Sequence, residues 1–409
     1  MVLSTFRSAE DGRATMSSLA EAIRALPGNL HEPSLDFEAV HEVPDSHAWP
    51  QLHDYPCGGE DDQSFHAQSP IPVVDLTQPD AATRMGQACV TWGAFQVTNH
   101  GIPMRLLDNV EFQARRLFSL PPQQKLKAAR PPDGLTGYGI ARIATFFSKL
   151  LWSEGFTIAG SPAEHARLLW TQPQDYSQFC ETMEEYKKEM KKLARRLMWL
   201  MMASLGISKE EVTWAGAGGE MEGASAVLQL NWYPACPNPE RAMGLAEHTD
   251  SPLFAILYQS STTGLQVQGG DEEGGTKRWV TVPPLRGALV VNVGDLLHML
   301  TNGRFKSVLH RAVVNRSRQR LSVAYFWGPP TNVRLSPLEK LVGPESSPLY
   351  PSMSWSDYLK IKAKHFNKSL SLLRLQPLHQ PTTDRFNIEE TATDDRNSAC
   401  NNKTRIKAC

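Results

Sequence analysis

The stretch GLAEHTDSPLFAILYQ, residues 244–259, decides the fold that this sequence predicts. Its central motif, His248-Thr249-Asp250, follows one β-type segment and precedes another. Residues two apart in a strand point to the same face, so His248 and Asp250 can bind one metal ion while Thr249 faces away. A third ligand must then come from another part of the chain.

A later β-type segment supplies the third candidate ligand, His310. Two histidines and one carboxylate leave three coordination positions open, which is the arrangement of non-haem Fe(II) oxygenases. The sequence therefore predicts Fe(II) bound by His248, Asp250 and His310. A zinc hydrolase could use the same ligand types, whereas a noncatalytic jelly-roll protein would need none of them.

An anion site follows in the next strand, where Arg320 and Ser322 alternate and so share one face. A guanidinium grips a carboxylate through two hydrogen bonds, whereas a lysine acts only as a point charge. Asn231 and Tyr233 share a face of the strand before the metal motif, and both can donate hydrogen bonds. These residues favour an anionic cosubstrate beside the metal, which a zinc hydrolase does not require.

The region after Gly223 consists of short β-type segments at nearly regular spacing, which is typical of a jelly roll or barrel. Before it, an apolar stripe with alternating spacings of three and four predicts one long helix from Tyr176 to about Gly206. Helical pattern returns from Trp355 to Leu375. We predict an α+β protein with a mainly β core, a double-stranded β-helix (jelly roll) with an N-terminal mixed α/β region, a long supporting helix and a C-terminal helix.

Composition along the chain predicts five segments. Residues 1–70 form a variable, loosely ordered lead-in, and residues 71–206 form the N-terminal region with the long helix. Residues 207–330 form the jelly-roll core, and residues 331–376 close it with helical structure. The tail 377–409 is rich in Thr, Asp, Asn and Lys and is expected to be disordered.

The bulk properties exclude several partners. Because 42 basic residues face 43 acidic ones, for a formal charge of −1, no global field favours nucleic acid or a membrane surface. The six cysteines are scattered, and no apolar segment reaches the length of a signal peptide or a membrane span. We expect a monomer that is cytoplasmic, or both cytoplasmic and nuclear, and that acts on a small molecule.

Longer motifs carry a family resemblance. QLNWYPACPNP, GLAEHTDSPLFAILYQ, WVTVPP, GALVVNVGDLLHMLTNGRFKSVLHRAVVN and RLSVAYFWGPP resemble the plant 2-oxoglutarate-dependent dioxygenases, and the finer match is to the gibberellin 3-oxidases. The resemblance covers roughly residues 44–374. It implies Fe(II), with 2-oxoglutarate and O₂ as cosubstrates and ascorbate as reductant, and 3-beta-hydroxylation of a gibberellin precursor. A related oxidase acting at carbon 1 or 2 of the same skeleton, or on another small plant metabolite, is the alternative.

The same resemblance implies roles for single residues. The iron ligands would be His248, Asp250 and His310, and 2-oxoglutarate would be held by Arg320, Ser322, Tyr233 and Asn231. The residues that would face the prime substrate are Tyr138 and Phe326. Strand alternation adds Gln229, which shares the inner face with Asn231. A gibberellin precursor carries a carboxylate, and the candidate cations for it are Arg142 and Lys149.

One stretch departs from the family. Where gibberellin 3-oxidases generally read Thr and then a Leu-Leu-Thr-like run after HTDS, this chain has Pro252, Leu253, Phe254 and Ala255. If no bulge intervenes, strand alternation gives Phe254 the inward parity of His248 and Asp250. We therefore expect the Phe254 ring to narrow the pocket beside the iron and to bear on which carbon is attacked.

Overall fold

The fold is described from a computed structural model that covers residues 35–50, 52, 71–132, 134–269, 277–343 and 346–376. The predictions for residues 1–34 and 53–70 of the lead-in, and for the tail 377–409, lie outside the described residues. The described chain up to Leu375 belongs to one unit.

A large sheet of eight strands carries one wall of the barrel. Its strands, in chain order, are β1 (Val73–Asp75), β2 (Ala94–Thr98), β3 (Gly137–Gly139), β4 (Glu154–Ile158), β5 (Ser225–Tyr233), β7 (Phe254–Gln259), β10 (Leu289–Val293) and β12 (Arg320–Gly328). They lie side by side in the order β1-β2-β10-β7-β12-β5-β4-β3, and only the pair β1–β2 is parallel. The long pairing of β12 with β5 fixes the register at the centre of this sheet.

A smaller sheet of four strands carries the other wall. It consists of β6 (Met243–His248), β8 (Leu265–Gly269), β9 (Arg278–Thr281) and β11 (His310–Val313), in the order β6-β11-β8-β9. A separate short pair joins β13 (Arg334–Leu335) to β14 (Met353–Ser354). The jelly-roll expectation is confirmed, because two sheets, antiparallel apart from the β1–β2 pair, pack face to face around a shared core.

Strict alternation gives the large sheet two different faces. In β12 the side chains of Leu321, Val323, Tyr325 and Trp327 enter a cluster that also contains the helices. Ala324 and Leu257, from β12 and β7, pack instead on Leu265 and Val267 of the smaller sheet. The molecule is therefore layered, with helices on one side of the large sheet and the smaller sheet on the other.

The helices are α1 (Ala81–Thr91), α2 (Met104–Phe118), α3 (Pro122–Leu126), α4 (Ala163–Leu169), α5 (Pro173–Ser204), α6 (Asp295–Leu300), α7 (Trp355–His365) and α8 (Ser369–Leu373). The predicted long helix corresponds to α5, which begins at Pro173, a residue that suits the first turn. Its predicted apolar stripe is buried against the sheet. Among the residues described, none of the helices has the length and apolar character that a membrane span requires.

The described part of the lead-in packs closely against the barrel. The Phe37 ring lies edge-on to Trp152, with their centroids 4.9 Å apart, and Val43 is buried in the same cluster. The Trp49 indole donates a hydrogen bond of 2.8 Å to the Leu150 carbonyl. Residues 35–50 therefore cover one side of the core.

A buried carboxylate, Asp295 at the start of α6, joins three parts of the chain. It accepts hydrogen bonds from the hydroxyls of Thr249 (3.2 Å), Ser307 (2.6 Å) and Tyr358 (2.6 Å). The Lys362 ammonium, on α7, also donates to it and forms an ion pair with it. The C-terminal helix is thereby tied to the loop after β6 and to the segment before β11.

We predict that Asp295→Ala lowers the free energy of unfolding by about 3–5 kcal/mol, because it leaves Lys362 buried without its counter-charge. The measurement is urea unfolding, with Lys362→Met and the double variant Asp295→Leu/Lys362→Met as matched controls. The double variant should lose less stability than the two single changes add up to. A loss below about 1 kcal/mol for Asp295→Ala would show that the pair is not a stabilising anchor.

Candidate active site

Three potential metal ligands converge where β6 ends and β11 begins. Antiparallel pairing sets His310 directly opposite His248. The Asp250 carboxylate oxygens lie 3.6 Å from Nε2 of His248 and 3.8 Å from Nε2 of His310. All three ligand atoms lie within 4.8 Å of one another, and all three residues are buried. The spacing fits one small cation at the centre of the three groups.

Backbone contacts orient both imidazoles. Nδ1 of His248 lies 2.8 Å from the Ala246 carbonyl oxygen, and Nδ1 of His310 lies 3.1 Å from that of Val308. A ring that donates through Nδ1 keeps Nε2 as a lone-pair ligand. Burial lowers the pKa of His248 well below its ordinary value, so the neutral ligand form is favoured. Burial also raises the pKa of Asp250, a shift that a bound cation would oppose.

The position of Asp250 differs from the expected one. β6 ends at His248, and Asp250 lies in the turn that follows. Its backbone carbonyl accepts a hydrogen bond of 2.8 Å from the amide of Asp295. Asp250 is therefore placed by the start of α6 rather than by strand alternation.

An anion-binding end lies on the neighbouring strands of the large sheet. The buried Arg320 guanidinium lies 5.1 Å from the centre of the Tyr233 ring and donates a bond of 3.1 Å to Gln259. Its Nε has no hydrogen-bond partner among the described residues. Across the β12–β5 pair, Ser322 lies opposite Asn231, with 3.5 Å between its hydroxyl and the amide nitrogen. Burial raises the pKa of Tyr233, so its phenol stays protonated and can donate.

A narrow cavity of about 50 Å³ joins the two ends of the site. Its walls include the three candidate metal ligands together with Asn231, Tyr233, Arg320 and Ser322. Asn292 lines the same space, and its side-chain oxygen is buried without a partner among the described residues. A buried guanidinium with an unpaired N–H, in the same cavity as three metal-type ligands, suits an anionic cosubstrate that carries a second carboxylate. The residues present therefore fit Fe(II) and 2-oxoglutarate.

A larger apolar cavity of about 270 Å³ opens beside the metal ligands. It is lined by His248 and Asp250 and by apolar side chains that include Ile143, Phe146, Leu245, Phe326, Leu359 and Phe366. Phe326 and Gln229 both line it, as expected of residues that face the prime substrate. The Gln229 side chain accepts a hydrogen bond of 2.6 Å from Thr157 and donates one of 3.2 Å to Asn231.

Tyr138 does not line this cavity, contrary to the expectation from its GYG loop. Its hydroxyl donates to the Glu154 carboxylate, which forms a buried ion pair of 2.6 Å with Lys125. Burial and the neighbouring Glu154 raise the pKa of Tyr138. The hydrogen bond to Glu154 thus holds the phenol outside the lining of this cavity.

Phe254 also faces away from the metal site, so the parity argument was wrong. Its ring is fully buried on the helix side of the sheet, with its centroid 5.1 Å from that of Trp327. The chain turns between β6 and β7, and this turn resets the alternation. Ala255 lines the cosubstrate cavity instead, and Pro252 lines the apolar cavity.

The two candidate cations separate clearly. Arg142 lines the apolar cavity, whereas Lys149 does not. The Lys149 ammonium instead donates a hydrogen bond of 2.6 Å to the Asp45 carbonyl. The cavity has two further cations that sequence reasoning missed, Arg130 and Lys362. Neither belongs to a motif with local spacing, so only the tertiary structure reveals them. The helical pattern near Trp355 was a partial signal, because Trp355 and Phe366 also line the cavity.

Two family models match the chain. Residues 224–329 match the 2OG-Fe(II) oxygenase superfamily, and residues 71–182 match the model for the non-haem dioxygenase in morphine synthesis N-terminal region. Among solved structures, JOX2 in complex with 2OG, Fe and JA is 29% identical, with a TM-score of 0.67 over 84% of this chain and 99% of that one. The dioxygenase for auxin oxidation in rice is 26% identical, with a TM-score of 0.61 over 75% of this chain and 100% of that one. The fold and the site define a 2OG-Fe(II) oxygenase.

Curated relatives narrow the family. Gibberellin 3-beta-dioxygenase 1 of Pisum sativum is 53% identical over 88% of this chain and 94% of its own length. Gibberellin 3-beta-dioxygenase 1 of Arabidopsis thaliana is 52% identical over 87% of this chain and 98% of its own length. The chain belongs to the gibberellin 3-beta-dioxygenase family of Fe(II)/2-oxoglutarate-dependent dioxygenases.

We predict that His248→Ala, Asp250→Ala and His310→Ala each abolish stoichiometric Fe(II) binding, measured by metal analysis after desalting, without unfolding the chain. The reason is that each change removes one of three buried ligands from a barrel whose core they do not form. Circular dichroism and melting temperature are the controls for folding. Retention of one iron per chain in all three variants would disprove the ligand set.

Proposed function

We propose that this protein hydroxylates a gibberellin precursor at carbon 3 on the β face, using Fe(II), 2-oxoglutarate and O₂. The observation that carries the proposal is the shared wall of two cavities. One cavity joins the His248-Asp250-His310 cluster to Arg320, and the other joins His248 and Asp250 of that cluster to an apolar chamber. The two relatives above, each more than half identical to this chain, support the choice of substrate.

The residues divide the work between three tasks. His248, Asp250 and His310 would hold the iron through two imidazoles and one carboxylate. Arg320 would hold the distal carboxylate of 2-oxoglutarate, with hydrogen bonds from Ser322, Tyr233 and Asn231. When bound, the iron and 2-oxoglutarate supply the oxidising power that converts a C–H bond and O₂ into C–OH, with release of succinate and CO₂.

The apolar chamber would orient the substrate and exclude water. Phe326 lines both cavities, so its ring would contact the substrate close to where the cosubstrate binds. The aromatic rings of Phe146 and Phe366 stack with centroids 4.6 Å apart and close one side of the chamber. A rigid apolar polycycle suits such walls, because an apolar pocket needs only a few polar groups to fix the orientation of its ligand.

Carbon 3 is favoured over carbons 1 and 2 by the family to which the chain belongs. The departure at Pro252–Ala255 is the place where regiochemistry could differ from the relatives, because Pro252 and Ala255 line the two cavities. We also propose ascorbate as the reductant that sustains turnover. A monomeric state and a cytoplasmic or nuclear location stay predictions.

The experiment is turnover of a panel of gibberellin precursors by the purified protein with Fe(II), ascorbate and 2-oxoglutarate. Products are identified by mass spectrometry and NMR, and succinate is counted against product. A 3-beta-hydroxylated product with equal succinate is expected. A product oxidised only at carbon 1 or 2, or no product from any precursor, would contradict the proposal.

For the cosubstrate, we predict that Arg320→Lys raises the KM for 2-oxoglutarate roughly 10- to 150-fold, because charge-assisted hydrogen bonds contribute about 1.5–3 kcal/mol. The KM for the gibberellin precursor should change little. Steady-state kinetics with each cosubstrate varied in turn separates the two. An unchanged requirement for 2-oxoglutarate would show that Arg320 has another role.

For regiochemistry, we predict that Ala255→Thr changes the ratio of hydroxylated products, because the added atoms enter the cavity beside the metal ligands. Phe254→Leu is the matched control, since that side chain packs against Trp327 on the other face of the same strand. It should lower stability and leave the product ratio unchanged. The reverse pattern, with only Phe254→Leu shifting products, would disprove this account of the pocket.

A further inference from the structure

The apolar cavity contains positive charge that its own residues do not neutralise. Three cationic side chains line it, Arg130, Arg142 and Lys362. The Lys362 ammonium forms an ion pair with the buried Asp295 carboxylate. It also donates a hydrogen bond of 2.7 Å to the Thr249 hydroxyl. Its charge is therefore satisfied within the protein.

Arg130 and Arg142 have only neutral hydrogen-bond acceptors among the described residues. Arg130 donates to the Thr157 hydroxyl at 3.0 Å and to the Ile140 carbonyl at 2.6 Å. Arg142 donates to the Gly134 carbonyl. No described aspartate or glutamate forms an ion pair with either of them. Among the described residues, the two guanidiniums thus share one partly buried wall without a counter-charge.

Such an arrangement is unfavourable unless an anion joins it. Burial and, to a smaller extent, the positive charge of Arg142 together lower the pKa of Arg130 to about 10. Burial likewise lowers the pKa of Arg142. Both side chains remain charged at neutral pH, so their repulsion persists in the absence of a ligand. An arginine pair held this way is pre-organised for a carboxylate, which a guanidinium grips through two parallel hydrogen bonds.

We infer that Arg130 and Arg142 together bind the carboxylate of the prime substrate. This inference rests on the proposed function for the identity of the substrate. It assigns the anchoring role to an arginine pair and excludes Lys149, which lies outside the cavity, and Lys362, whose charge is already matched.

A polar relay connects this anchor to the cosubstrate end. The Thr157 hydroxyl receives a hydrogen bond from Arg130 and donates one to Gln229, and Gln229 donates to Asn231. Thr157 lies directly opposite Gln229 in the β4–β5 pair. The arginine that would bind the carboxylate is therefore positioned by the same strands that carry Asn231 toward 2-oxoglutarate.

The test compares a gibberellin precursor acid with its methyl ester. Dissociation constants are measured by equilibrium dialysis against the enzyme loaded with Fe(II) and 2-oxoglutarate under anaerobic conditions. Wild-type protein is expected to bind the acid about 10- to 100-fold more tightly than the ester. Arg142→Met and Arg130→Met should weaken acid binding by a similar factor and leave ester binding nearly unchanged, while Lys149→Met should behave as wild type.

Three controls test whether a change in acid binding comes from the arginine pair itself. The affinity for 2-oxoglutarate should be unchanged in every variant, which shows that the cosubstrate end is intact. The melting temperature of unliganded Arg142→Met should not fall, because the change removes a like-charge repulsion. Should Arg130→Met fail to fold, Arg130→Lys takes its place, and it is expected to retain part of the preference for the acid.

An acid-to-ester ratio that stays at the wild-type value in both the Arg130 and Arg142 variants would overturn the inference. Equal binding of acid and ester by the wild-type protein would overturn it as well, while leaving the proposed function in place. Conversely, an intact preference for the acid together with hydroxylation at a carbon other than 3 would contradict the proposed function alone. If the wild-type protein bound neither the acid nor the ester, both the inference and the proposed function would be contradicted.

Discussion

The buried carboxylate of Asp295 is the contact on which the rest of the site depends. The turn from Asp250 to Leu253 presents its carbonyl groups to the first amides of α6, with hydrogen bonds of 2.9 Å from Gly294 and 2.8 Å from Asp295. A Cβ on Gly294 would lie 2.2 Å from the Pro252 carbonyl oxygen, so only glycine permits this approach. The Asp295 side chain then accepts from Thr249, between the two metal ligands of the motif, and from Ser307, ahead of β11. A single buried charge thereby holds both ligand-bearing segments at one end of the barrel.

Charge balance explains why the cavities bind different groups. The Asp295–Lys362 pair is neutral in sum, so it supports structure without attracting a ligand. Arg320 lies in the small cavity, where an iron with one carboxylate ligand and a dicarboxylate cosubstrate would leave one negative charge for it to neutralise. Arg130 and Arg142 stand apart from both groups, on the apolar chamber. One anion is then needed beside Arg320 and another beside Arg130 and Arg142. The proposed reaction supplies both, as 2-oxoglutarate and the gibberellin precursor acid.

The sequence was sufficient for the parts of the site that depend on local periodicity. Alternation along β5 and β12 correctly predicted which side chains face inward, and the H-x-D motif with a later histidine correctly predicted the cluster, even though Asp250 lies in a turn. The error at Phe254 has a local physical cause, since the turn between β6 and β7 interrupts the alternation on which the argument relied. Tyr138 and Arg130 could not be placed, because their environment is created by Glu154 and by strands distant in sequence. No prediction was made for α6, because six residues are too few to show a helical period.

The strand pairing of the large sheet sets the distance between the substrate carboxylate and 2-oxoglutarate in the proposed complex. Thr157 pairs with Gln229 across β4–β5, and Asn231 pairs with Ser322 across β5–β12. Neighbouring strands lie about 4.8 Å apart and residues rise by about 3.4 Å, so these registers fix the separation of the Arg130 anchor from the cosubstrate end. A flexible acid could bring many of its carbons to the metal. A rigid polycycle held by its carboxylate brings to the metal only the carbons that lie at one fixed distance from that carboxylate. On the proposed assignment, regiochemistry is therefore set jointly by the arginine anchor and by the side chains beside the metal, and a methyl-sized change at Ala255 acts on the second of these while the first stays in place.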